Sequence, residues 1–65
     1  MKWYSYETSY SNVVESLTRY LKRNKIKFEI SDASIEKTPI WHFEIYTSQI
    51  GSDSINDWLY ENGYN

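Results

Sequence analysis

Apolar and polar residues alternate most cleanly between Ile40 and Thr47. Trp41, Phe43 and Ile45 fall on one parity, and His42, Glu44 and Tyr46 on the other. Successive side chains of a β-strand point to opposite faces, so this run predicts a strand with one apolar face and one polar face. A second alternation, Ile26, Phe28 and Ile30 against Lys27 and Glu29, predicts a strand over 26–30. Ser31 to Ser34 reads as a turn or bulge, with Ile35 as a continuation beyond it. Glu36-Lys37-Thr38-Pro39 then turns the chain, because proline has no N–H to give a ladder and belongs at a strand entrance. These two strands are expected to pair as a hairpin. Lys2 to Thr8 is short, aromatic and free of breakers, which predicts a first strand. Its two parities, Trp3-Ser5-Glu7 and Tyr4-Tyr6-Thr8, are both mixed, so the pattern leaves open which of them is buried.

The period changes between the first two strands. Val13, Val14, Leu17, Tyr20 and Leu21 recur at helical spacing and make one apolar stripe. Ser11 or Asn12 is the expected cap, since a short side-chain oxygen accepts a free first-turn N–H. Asn12 with Glu15 three residues on resembles a capping box. Glu15 precedes Arg19 by one turn, a pair worth about 0.2–0.5 kcal/mol when formed. Lys22, Arg23 and Lys25 complement the negative end of the helix, and Asn24 is its expected left-handed terminator. After a loop over Ser48 to Ser52, a second helix is expected from about Asp53 to Glu61. Ser52 or Ser54 would cap it, Asp53 and Asp57 would lie near its positive end, and Ile55, Trp58 and Leu59 form its apolar side. Asn62-Gly63 stops it.

The order is therefore β-α-β-β-α in one α+β domain over 1–65. A right-handed crossover from the first strand to the second is the default. Placing the third strand between them buries the most apolar strand deepest and gives an antiparallel sheet of order 1-3-2, with both helices on one face. This is a truncated ferredoxin-like arrangement, without the last strand. It fixes an architecture and not a function. No motif in the chain is specific enough to carry a family.

Composition narrows the chemistry. With 65 residues the domain buries a modest share of its surface, and chains of this size usually lean on a disulfide, a metal or a partner. There is no Cys and a single His, so neither a disulfide nor a zinc site of the usual donor set is available, and no cofactor is expected. What stands out is aromatic content: 3 Trp, 7 Tyr and 2 Phe, enough to supply both a compact core and an adhesive surface. No apolar run approaches the roughly 18 residues of a membrane span, and no signal-peptide pattern opens the chain. The chain thus reads as a complete short product of the cytoplasm.

Charge is divided along the chain. Residues 1–28 carry +4 and residues 29–65 carry −6, adding to the net −2. If both helices lie on one face of the sheet, the other face is free for a partner. Its expected anchors are Tyr4, Tyr6, His42, Glu44 and Tyr46, with Tyr60 and Tyr64 as outlying aromatics. Catalysis is not expected. His42 is the sole histidine, no serine sits in a Gly-x-Ser-x-Gly turn, and the two glycines form no phosphate loop.

Three non-enzymatic readings follow. The first is a protein-binding module. Heavy use of Ser, Ile, Lys, Asn and Tyr with little Gly, Ala, Pro and Arg resembles translated AT-rich coding, which fits a phage or mobile-element accessory protein that inhibits a host or defence protein stoichiometrically. Its acidic second half (Asp53, Asp57, Glu61) could imitate phosphate toward such a partner. The second is a small nucleic-acid binder using the basic cluster Arg19, Lys22, Arg23, Lys25 and Lys27, which the negative net charge opposes. The third is a homodimer closed over the free sheet face.

Overall fold

The computed structural model describes residues 1–64. The elements run β1 (Lys2–Thr8), α1 (Ser11–Arg23), β2 (Lys27–Asp32), β3 (Trp41–Thr47) and α2 (Gln49–Glu61). The three strands form one antiparallel sheet of order β1-β3-β2. The architecture expected from the sequence is the one observed. Phe43 and Ile45 of β3 are buried together with Val13, Leu17 and Leu21 of α1 and Ile55 and Leu59 of α2. Both helices therefore cover the same face of the sheet. The Phe43 ring sits between Tyr6 of β1 and Phe28 of β2, each with its ring centroid 6.4 Å away.

The helix starts differ from expectation. Ser11 and Asn12 are already inside α1; Tyr10 is the N-cap residue and makes no side-chain cap bond. Thr8 Oγ1 instead accepts the Tyr10 N–H at 3.2 Å, so the strand's last side chain tethers the entry to the helix. α2 begins four residues earlier than Asp53. Ser48 is its N-cap, with Oγ accepting the Gly51 N–H at 3.1 Å. Gly51 looks like a breaker in the sequence, yet it lies in the first turn. A Cβ there would collide with the Thr47 hydroxyl, so close passage of helix over strand is what requires glycine. The early start moves Asp53 and Asp57 out of the first turn, which holds no acidic residue. The helix dipole therefore does not account for them.

The two helices end alike. Asn24 and Asn62 keep ordinary negative φ, and their side-chain amides donate to Tyr20 O and Trp58 O, each at 2.8 Å. The left-handed residue is the next one, Lys25 (φ 55°) and Gly63 (φ 73°). Ile26 N–H then donates to Leu21 O at 3.0 Å and Tyr64 N–H to Leu59 O at 2.8 Å. This pairing across six residues closes the free carbonyls and folds Ile26 and Tyr64 onto the core. Beyond β2, Ile35 bridges to Thr38 at the tip of the hairpin instead of extending the strand.

Candidate functional site

Register decides what the uncovered face carries. β1 pairs with β3 so that Tyr4 lies opposite Ile45, Tyr6 opposite Phe43 and Thr8 opposite Trp41. Directly opposed residues share a face, so Tyr4 and Tyr6 lie on the helix side. This corrects their expected place among the free-face anchors. Tyr6 packs on the core, and burial pushes its hydroxyl pKa up. Tyr4 Oη donates to Gln49 Oε1 at 3.2 Å, tying the β1 edge to the start of α2. Both are seam residues between sheet and helix.

The open face is made by Trp3, Ser5 and Glu7 of β1, His42, Glu44 and Tyr46 of β3, and Lys27, Glu29 and Ser31 of β2. They form three rows across the sheet. In the first, Trp3 and Tyr46 rings meet at 5.1 Å, and Lys27 Nζ stands 5.6 Å from the Trp3 ring centroid. Trp3 stays 44% exposed, a large aromatic area left in water. The attraction of an ammonium to an indole face is electrostatic, and Lys27 stands within its reach.

The third row, with Glu44 from the middle one, is a hydrogen-bonded clamp. His42 Nδ1 meets Glu7 Oε2 at 3.0 Å and His42 Nε2 meets Glu44 Oε1 at 2.6 Å. A carboxylate is an acceptor, so both ring nitrogens are satisfied only when both carry protons. The Glu44 hydrogen bond first, and the Glu7 bond second, raise the His42 pKa above its ordinary 6.5. The same contact, with Ser5 Oγ donating at 3.0 Å, lowers that of Glu44 below 4.5. Glu29 stands directly opposite Glu44, a like-charge pair that the imidazolium offsets.

The open face offers aromatic surface, hydrogen-bonding groups and charge. The order of contacts is Ser5, Glu44, His42, with the carboxylate between hydroxyl and imidazole. The hydroxyl and the imidazole do not meet, so the nucleophile–imidazole contact of a serine triad is not formed here. The carboxylates approach opposite sides of the ring and do not converge on one point. Among the described residues no group of three His, Cys, Asp or Glu side chains is arranged to hold a metal ion. No helix among them is long and apolar enough to cross a membrane.

The other expected site residues are dispersed. His42, Glu44 and Tyr46 do lie together on the open face. Tyr60 is 77% exposed on α2, whereas Tyr64 packs edge-on to Trp58 and its hydroxyl shares a hydrogen bond with Ser16 Oγ at 3.2 Å. Three of the five bases stay together: Arg19, Lys22 and Arg23 stand at i, i+3 and i+4 on one side of α1, where Arg19 and Arg23 line a groove between the helices and Arg19 also borders Lys22 beside Glu15 and Thr18. Lys25 occupies the left-handed turn, and Lys27 is on the open sheet face. Trp3, Ser5 and Glu7 are the β1 residues of the open face that sequence reasoning did not select as anchors. Glu7 was the available signal: burying a carboxylate costs far more than burying a tyrosine hydroxyl, so its parity belongs outside.

Compared with known proteins, the chain matches no family model, no curated protein and no solved structure.

Proposed function

We propose that this chain is a non-enzymatic protein-binding module, of the kind a phage or mobile element uses to inhibit a host or defence protein by stoichiometric occlusion, and that it docks through the open face of the sheet. The observation that carries this reading is the exposed Trp3 ring beside Tyr46, held over a clamp that fixes Glu7 and Glu44 in place. Aromatic anchors in a surrounding of satisfied polar groups are the usual energetic centre of an interface. Rigid side chains also lose little freedom on docking.

The charges favour a foreign basic partner over a second copy. Three carboxylates, Glu7, Glu29 and Glu44, stand against Lys27 and the His42 imidazolium. A second copy would bring the same excess of carboxylates, whereas a surface bearing Arg or Lys would meet those carboxylates and an indole face.

The test is capture from lysate with nuclease treatment at low and high salt, run beside a Trp3→Ala/Tyr46→Ala double variant. The expected result is one stoichiometric protein held by the parent at both salts and lost by a variant that melts like the parent. Equal capture by both, or nucleic acid alone that disappears at high salt, would overturn the reading.

A further inference from the structure

The opposite side of the molecule holds a second feature of a different kind. Arg19 and Arg23 stand one helical turn apart on α1 and line a groove of about 210 Å³ between α1 and α2. Tyr20, Trp58 and Tyr64 line the same groove. Tyr20 and Trp58 pack at 4.8 Å between ring centroids, and Tyr64 meets Trp58 at 5.7 Å. The two guanidiniums are therefore set beside a continuous aromatic wall formed by both helices and the residue that closes α2.

Neither arginine forms an ion pair within the fold. Among the described residues the only ion pairs are those of His42, although Glu15 lies four residues before Arg19. The dipole of α1 accounts for Lys22 and Arg23 in its last turn but not for Arg19, which precedes that turn. A carboxylate satisfies one guanidinium fork, whereas the three terminal oxygens of a phosphate monoester can engage two. The aromatic wall offers rings against which a planar group can stack. Lys22 borders Arg19 outside the groove, beside Glu15 and Thr18, and Lys25 does not line it. The net charge of −2 opposes a long polyanion.

We propose that this groove binds a phosphate monoester joined to a planar aromatic ring, the chemistry of a mononucleotide, with the phosphate on Arg19 and Arg23 and the ring against Tyr20 and Trp58. The site is separate from the open sheet face and its occupancy does not depend on protein docking there.

The probe is adenosine monophosphate, titrated to about 10 mM into isotopically labelled protein and followed by NMR, which reaches past millimolar affinity. Adenosine and inorganic phosphate are titrated in parallel. The expected result is a saturable shift of the Trp58 indole N–H and the Arg19 and Arg23 side-chain N–H signals, with the Trp3 signal unmoved. Adenosine alone and phosphate alone should each bind about tenfold more weakly or worse. An Arg19→Gln/Arg23→Gln variant, altered only at exposed positions, should lose at least about tenfold in affinity while keeping the rest of its spectrum. Three results would overturn the proposal: no saturable shift, phosphate alone binding as well as the nucleotide, or undiminished binding by the double variant. A shift centred on Trp3 would place the ligand elsewhere and overturn it too.

Discussion

The two faces of β3 are made from the same seven residues and do opposite things. Phe43, Ile45 and Thr47 are buried under both helices, and nothing about them is available to a partner. His42, Glu44 and Tyr46 alternate with them and stay partly exposed, tied to β1 by the Trp3 ring contact and by hydrogen bonds from His42 to Glu7 and from Ser5 to Glu44. Inner positions hold the domain through apolar burial, which is large per residue and indifferent to pH. Outer positions are held by charge and geometry, which contribute little to stability but fix a surface. A one-residue slip would exchange these sets, so the core itself enforces the register that assembles the site.

The comparison is sharpest at its extremes. Phe43→Ala is expected to cost about 3–5 kcal/mol by removing a fully buried ring, most of what a domain this small possesses. A urea melt should show the variant largely unfolded. Gly51→Ala tests the inner face from the helix above it. Helix propensity alone would make the change favourable by about 1 kcal/mol, but the methyl meets the Thr47 hydroxyl, and overpacking of this kind costs about 1–3 kcal/mol. A net loss in thermal stability is expected, and a gain would show that Thr47 is free to move. Tyr46→Ala on the outer face should change stability by no more than about 1 kcal/mol, an exposed aromatic pair at most, while abolishing capture of the partner. If it destabilises as much as Phe43→Ala, the outer face is structural and the contrast fails.

The smallest effect is the most specific. Because the His42 pKa is raised, the clamp's contribution is complete below the ordinary 6.5 and is lost as pH climbs through the raised value. Because the Glu44 pKa is lowered, its contribution is complete above the ordinary 4.5 and is lost as pH falls through the lowered value. The difference in urea midpoint between the parent and His42→Gln should therefore be greatest between about pH 4.5 and 6.5 and shrink on both sides. A difference that keeps growing above neutral pH would mean the imidazole acts as a neutral packing group.

How far the sequence revealed this depends on how cleanly each segment separates apolar from polar. β3 separates fully, and its inner and outer sets were legible at once. So were the antiparallel order with β3 in the middle and the apolar stripe of α1. β1 does not separate, because Trp and Tyr are at home on either side of a sheet. Only its pairing with β3 sets Tyr4 and Tyr6 inward and Trp3 outward. The start of α2 was obscured by Gly51, whose reason for being there is a contact with another element and cannot be read locally. The division of the basic cluster has the same origin. Arg19, Lys22 and Arg23 stay together on one side of α1, but the left-handed turn at Lys25 and the strand carrying Lys27 take the last two elsewhere.

The central position of β3 has a consequence for how the molecule comes into being. The strand that both others need is the last of the three to be synthesised. Until residues 41–47 have emerged, β1 and β2 have no partner, and only α1 can form from local contacts. Joining β1 to β3 then closes a loop of more than thirty residues, an entropic cost met before any sheet contact repays it. Trp3 gains Tyr46 as its neighbour only in that step. The nascent protein is expected to carry an unpaired aromatic strand until residues 41–47 emerge, and to acquire its open face and its sheet in a single event.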